Sequence, residues 1–548
     1  LMGTREVVIR AFERERAPAR PAQLGPDIVA EAGRALLSGL NREFGGFGAA
    51  PRLPTPHALQ LAALLYRRGG GNVFLDAMVR TLDGMERGAI HDRIGGGFHR
   101  STSDPAWRIP QFEKLAHFNA SLVEAYLTGF QATGRDEYLQ VAGGTVDYLL
   151  TTLRDPAGCF YFAQAPAASF DEPRGAYYTW SEPDFRAAIP AGLEKVAATL
   201  FNIKPEGEIL LGPPARSTLY RTMPVDEAAQ RLGMDAKAAR QAEAAIVAAL
   251  KRARESRAAP PIDRTIYVDS CAAAARAMLE ASVLLDRPEA RNAGLQAVDR
   301  MLAAAEGGPL RHRLQPPPDP DVDPVLAMDH IMLARASVAA FEQTGQERYL
   351  TAARELVDKA VTLFWDGESG GFFDVVADPN ARGYLSIRRR LPNDTAFPSL
   401  NSTASRLLNR IWQHTGESSY RARAEQALAN QVSTTRKLDQ HDAGLGLAVE
   451  LHRHPPTRYV IVGREEDDKV AALEAAALKI FDPDRVVVVL RPGKDDDRIR
   501  ALRVDRPRGA WAAVCSGESC KGPVRDPEAL AAAAGIPQPD APPPFEGN

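Results

Sequence analysis

SLVEAYLTGFQATGRDEY, residues Ser121–Tyr138, is the stretch that decides the fold class. Leu122, Ala125, Tyr126, Gly129 and Phe130 recur on one helical face, and Gly134 follows as a C-cap. A second apolar-periodic run then begins. TGQERY (Thr344–Tyr349) and TGESSY (Thr415–Tyr420) repeat the arrangement, with Phe341 ahead of Gly345 and Trp412 ahead of Gly416. Between these loops lie glycine-aromatic turns: GGFG at Gly45–Gly48, GGGF at Gly95–Phe98, GCFY at Gly158–Tyr161 and GGFF at Gly370–Phe373. GGPL at Gly307–Leu310 and AGLGL at Ala443–Leu447 are taken as two more. Two kinds of loop alternating between long helices mean helical hairpins, and irregular repeats of that kind close into a ring or stack as a solenoid. With six turns and no regular period, the expectation is a mainly α, (α/α)6 toroid whose inner helices ring a central funnel.

Other elements fit around that ring. Residues 1–30 are expected to be the remnant of a lost or truncated domain, and 31–456 the toroid. An insertion at about 181–263 contains the amphipathic run Asp235–Arg257. Residues 457–536 read as a small C-terminal α/β appendage, because Tyr459–Val462 and Arg485–Leu490 are β-branched runs flanking a helix at Asp468–Ile480. Ala510–Val514 is a third expected strand. The tail 537–548, QPDAPPPFEGN from Gln538, lacks the apolar residues needed to fold.

The totals exclude several function classes. A net charge of −3 and pI near 6.4 leave no footprint for nucleic acid. No apolar run approaches the roughly 20 residues of a membrane span. No signal peptide is visible in the opening residues, and four cysteines in 548 residues form no disulfide framework, so a reducing, cytoplasmic setting is expected.

Chemistry concentrates in GAIHDRIGGGFHRSTSDPAWRIPQFEKLAHFNA, Gly88–Ala120. His91, Asp92, Arg93, His99, Arg100, Asp104, Glu113, Lys114 and His117 crowd into it, a mixture suited to a cleft wall rather than an apolar core. His99 is a natural proton carrier near neutral pH, and Arg100 beside it suits an anionic or hydroxyl-rich ligand; the same pair also suits a helix end. Pro110 and Glu113 read as the start of a helix, with Glu113 able to act as an acid or base if desolvated. Trp107 reads as an exposed stacking surface for a sugar ring. Asp329-His330 reads either as a buried pair satisfying itself or as an acid-base dyad. The glycines at 95–97 lack the spacing of a phosphate cradle, His441-Asp442 and His452–His454 lack that of a metal site, and Cys515 and Cys520, which could form a bond or bind a metal weakly, read as a pair of ordinary thiols.

Several of these motifs together resemble one family. GGFG-x-AP-x-x-P at Gly45–Pro54, GGGFHR, Trp-x-x-Pro-x-Phe-Glu-Lys and Pro398-Ser399-Leu400-Asn401-Ser402 are similar to the spermatogenesis-associated protein 20-like family of thioredoxin-domain-containing proteins. Its helical part is similar to the N-acylglucosamine 2-epimerase superfamily of six-hairpin toroids. The likeness runs from about Leu40 to Ala534. The family's leading thioredoxin-like domain does not fit ahead of Leu24 here. Gln111, His117 and Phe118 replace the family's His, Tyr and Asp, and Ala165 and Ala167 stand where it has carboxylates.

The resemblance implies a carbohydrate-acting toroid, an epimerase or isomerase working by acid-base chemistry in the funnel. His99, Glu113 and Asp329 are the implied catalytic residues. Asp92, Arg100, Trp107, Lys114, His117, Asn119, His330 and Asn401 are the implied substrate contacts. No metal or cofactor is expected, since epimerisation by proton abstraction needs none. The partner is a small carbohydrate or, if the missing carboxylates have silenced the site, a glycan or protein that is bound without turnover.

Overall fold

The computed structural model describes residues 22–535, except 170, 210–214, 307, 316–322, 379–387, 391–392, 395–397, 436–437, 455, 465, 484 and 518. The N-terminal segment before residue 22 and the tail after 535 lie outside the described residues.

Six helical hairpins close into a ring. Its inner helices are α2 (Pro56–Arg67), α4 (Ala116–Thr133), α10 (Val268–Leu284), α12 (Ala327–Thr344), α14 (Leu400–Thr415) and α16 (Ala443–Arg453). Each packs on the next, and α16 returns to α2. Outside them lie α1 (Pro26–Gly39), α3 (Asn72–Arg87), α5 (Asp136–Thr152), α11 (Pro288–Glu306), α13 (Glu347–Phe364) and α15 (Ser418–Thr434). The partner of α16 is α1, so the first and last toroid helices seal the ring. The sequence explains the two layers. Inner α10, VDSCAAAARAMLEASVL, is buried around most of its circumference, and its small residues let neighbours approach on both sides. Outer α13 buries one stripe, from Tyr349 and Leu350 through Ala353, Leu356, Val357 and Ala360 to Phe364.

The repeated TG loops join inner to outer helices. Gly134, Gly345 and Gly416 sit in the left-handed region at φ 69, 65 and 76, each donating its N–H to the aromatic four residues back at 2.7 Å. The tyrosine ending each loop, Tyr138, Tyr349 or Tyr420, is buried beneath it. The glycine-aromatic turns make the return journey at the opposite end. In two of them an asparagine from the next inner helix clamps the aromatic backbone. Asn119 accepts from the Phe98 N–H at 2.6 Å and donates to its carbonyl at 3.1 Å; Asn401 does the same to Phe372 at 2.7 and 3.0 Å. The sixth expected turn, Ala443–Leu447, is instead the first part of α16. Its glycines serve packing: a Cβ on Gly446 would come within 2.5 Å of the Ala32 side chain on α1.

Between α5 and α10 the chain builds α6 (Glu182–Ala188), α7 (Glu194–Leu200), α8 (Val225–Leu232) and α9 (Ala236–Glu255) around their own core of Trp180, Phe185, Leu200, Ile246 and Leu250. Ile94, from the GGGF turn, plugs into that core. Two-residue strands β1 (Ser101–Thr102), β2 (Pro110–Gln111), β3 (Lys114–Leu115), β4 (Ala163–Gln164) and β5 (Ile262–Asp263) lie in the loops ahead of α10. After α16 come the strands β6 (Arg458–Val462), β7 (Val486–Leu490), β8 (Trp511–Ser516) and β9 (Ser519–Val524), ordered β7-β6-β8-β9, with only β6 and β7 parallel. Cys515 and Cys520 face each other across β8 and β9 and form a disulfide, which corrects the reading of two ordinary thiols. This unit lies over the TG-loop end of the ring, where Gln131 donates to the carbonyls of Leu478, Lys479 and Ile480. No described helix is long and apolar enough to cross a membrane.

Candidate functional site

The ionisable segment Gly88–Ala120 turns out to be a fastening. Asp92 accepts from the N–H groups of Ile94 and Gly95, then meets Lys114 at 2.6 Å and Arg254 of α9 at 2.8 Å. All three charged groups are buried. Burial alone would raise the Asp92 carboxyl, but Arg254 and Lys114 hold it well below the usual range. Burial likewise draws the Lys114 ammonium down to about 8. The triad therefore ties the insertion to the toroid, with all three charged groups engaged with one another.

His99 is 2% exposed, donates from Nδ1 to the Phe112 carbonyl at 3.0 Å, and stands edge-on to Phe112 and Tyr178. Burial, reinforced by Lys114, pushes its pKa down to about 3, so it is neutral across the physiological range. Arg100 points to solvent. Pro110 and Glu113 do not open a helix; the chain runs through the short strands β2 (Pro110–Gln111) and β3 (Lys114–Leu115), and α4 starts at Ala116. Glu113 faces Arg174 at 3.7 Å.

Trp107 is also corrected. It is fully buried at φ 63, its indole N–H donates to the Phe44 carbonyl at 3.0 Å, and Arg52 lies 5.4 Å from the ring centre. Its slot exists because glycines form the wall: a Cβ on Gly46 or Gly88 would come within 2.4 or 2.5 Å of it.

The funnel lies elsewhere, on the ring axis, and encloses about 910 Å³ of space open to solvent. Its mouth takes the second residue of four inner helices: His57, His117, Asp269 and Met328. Asp394 and His441, from the loops leading to α14 and α16, complete the circle. Deeper lie Glu124, Arg276 and Arg335. Burial lowers the His57 imidazole, with Asp394 opposing, and raises the Glu124 carboxyl to about 7 although Arg276 bridges to it. Of the expected site residues, His117 alone is on this wall; His99, Glu113 and Asp329 are not.

Asp329 stands directly behind the wall. Its Oδ1 accepts from the Asp269 N–H at 3.1 Å and lies 3.0 Å from Nδ1 of His312, which stacks on Tyr267. Burial raises the Asp329 carboxyl to about 7 against the pull of His312. The partner of Asp329 is thus His312, not His330. His330 turns away, donating from Nδ1 to the Leu326 carbonyl at 2.9 Å and meeting Phe364 edge-on. Asp269, His312 and Asp329 bring one ligand atom each within 4.8 Å of one another, a donor set that suits a divalent cation. Sequence reading singled out Asp329 but not its neighbours Asp269 and His312, and it did not connect His57, Asp394 and His441 with a common site. The signal that would have found the mouth is positional: aligning the inner helices at their first residue puts His57, His117 and Asp269 in one register.

No family model matches the chain. Spermatogenesis-associated protein 20 from Homo sapiens is 26% identical over 538 residues, which cover 90% of this chain and 67% of the human one. The Mus musculus protein is 24% identical over 534 residues, with the same coverage. The chain resembles spermatogenesis-associated protein 20. The chain spans about two-thirds of the length of these relatives. Among solved structures, a D-mannose isomerase superposes with a TM-score of 0.50 at 10% identity, covering 79% of this chain and 99% of that one. The likeness is one of fold, the (α/α)6 toroid.

Proposed function

We propose that the chain is a carbohydrate-acting toroid that binds a sugar in its central funnel and moves a proton on it, as an epimerase or isomerase does. The observation that carries this reading is the mouth of the funnel, where His57, His117 and His441 converge with Asp269 and Asp394 from five different inner helices or their lead-in loops. Epimerisation needs one group to take the proton from the carbon beside an open-chain sugar carbonyl and another to return one to the opposite face. His57 on α2, flanked by His117 on the neighbouring α4 and His441 just ahead of the neighbouring α16, offers imidazoles for both roles. Burial keeps His57 in its basic, proton-accepting form, and Arg276 below it suits the developing oxyanion. Asp269, backed by His312 and Asp329, holds the sugar hydroxyls. The shared fold with a D-mannose isomerase supports the reaction class.

The test is a panel of mono- and disaccharides in heavy water, followed by proton NMR. Loss of the proton next to the carbonyl, abolished in His57→Gln or His117→Gln with affinity retained, is the expected result. Binding without exchange would make the toroid a glycan-binding protein. No binding by any sugar would overturn the proposal.

A further inference from the structure

The space behind the floor of the funnel has a charge imbalance, and Arg335 connects it to the funnel. There, between the inner helices and the α/β unit, lies a second cavity of about 1110 Å³ that shares Glu124, Arg276 and Arg335 with the first. Five arginines line this cavity against three glutamates, an excess of two positive charges among the described residues. Two of the arginines are paired with all three glutamates. Arg276 bridges Glu124 and Glu280, and Arg410 holds Glu342 through two bonds of 2.6 and 2.8 Å. Arg335, half-buried on α12, meets no carboxylate among the described residues; its polar contact is the Met332 sulfur at 3.6 Å.

A guanidinium drawn partly out of water without an ion-pair partner is costly to keep. Burial, then Arg276 and Arg406, pulls the Arg335 pKa well below its ordinary value against the weaker opposing pull of Glu124 and Glu280. The planar fork of an arginine matches the two oxygens of a carboxylate or phosphate, and this one faces the ligand cavity.

We propose that Arg335 is an anion-binding residue at the floor of the funnel, so that the ligand is an acidic sugar, carrying a carboxylate or a phosphate. The word sugar rests on the proposed function; the anion does not. A ligand so placed would set its acidic group on Arg335 and its carbonyl end among the imidazoles at the mouth.

The experiment titrates the full chain by calorimetry and thermal shift, at constant ionic strength, with inorganic phosphate, glucuronate, glucose 6-phosphate and glucose. At least one acidic sugar should bind ten-fold or more tighter than glucose, and which one tells carboxylate from phosphate. Inorganic phosphate should raise the melting temperature saturably. Arg335→Gln should cut anion affinity at least ten-fold without lowering the ligand-free melting temperature, because it removes a charge that makes no ion pair among the described residues; Arg335→Lys should keep part of the affinity. Equal binding of acidic and neutral sugars, unchanged in Arg335→Gln, would overturn the anion site and leave the sugar reading standing. Protection by phosphate that needs Arg335, with no sugar bound, would uphold the anion site and remove the sugar. Protection that persists undiminished in Arg335→Gln would refute the assignment.

Discussion

Replacing His99 by Gln separates a buried scaffold residue from a proton carrier. In the fold the imidazole has a pKa of about 3 against an ordinary 6.5, because burial opposes its charge and Lys114 adds to the effect. The folded value is the lower one, so the unfolded chain takes up a proton that the folded chain refuses. Stability is therefore lost as pH falls below about 6.5, and the loss levels off near the folded pKa. Between pH 7 and pH 5 the single group costs about 2 kcal/mol, from roughly 1.4 kcal/mol per pH unit once the unfolded imidazole is mostly charged. The variant also forfeits the bond to the Phe112 carbonyl, so at pH 7 it should be less stable by about 1–3 kcal/mol. Urea unfolding at both pH values, followed by tryptophan fluorescence, isolates the term, since every other titrating group cancels between wild type and variant. The pH-dependent loss should shrink by about 2 kcal/mol in His99→Gln. An unchanged loss would mean that His99 charges freely in the folded protein, and the proton-carrier role would return.

Three further outcomes follow from the same packing. Trp107→Ala should destabilise the toroid by roughly 3–5 kcal/mol, since it empties a slot built from glycines, and should leave sugar affinity unchanged by calorimetry. Asn119→Ala and Asn401→Ala should each cost about 1–3 kcal/mol in urea unfolding, because each strands a buried backbone N–H and carbonyl in a turn. Changing both Cys515 and Cys520 to Ser should weaken only the α/β unit, by about 2 kcal/mol for so short a loop, with funnel binding intact.

The fold was legible because its signals are local. A TG loop carries its own left-handed cap four residues after an aromatic, and the helices on either side carry their own apolar faces. What escaped depends on residues far apart in the chain. Trp107 read as exposed because its slot is closed by Gly46, from a different turn, together with Gly88, and nothing in the spacing of the two announces a slot. AGLGL read as a turn because glycines usually break helices, whereas here Gly446 admits Ala32 of α1 into close contact. The strand β9 contains Gly522 and Pro523, so no β-branched run betrays it; it is an edge strand, where proline is tolerated. Asp329 was paired with its neighbour His330, yet residues adjacent on a helix point apart, and the true partner His312 arrives from before the helix. The funnel mouth was the hardest to see. It is assembled from one position in each of several hairpins, whereas ionisable density in a single segment marked a structural fastening.

The central claim is that ligands enter the ring of imidazoles on the toroid axis and not the segment around His99. The ten histidines can be followed individually by NMR with carbon-13-labelled imidazoles while sugars, uronates and sugar phosphates are titrated in. His57, His117 and His441 should shift saturably with a common affinity, while His91 and His99 stay in place. Shifts at His99 with the three mouth histidines unmoved would contradict the account.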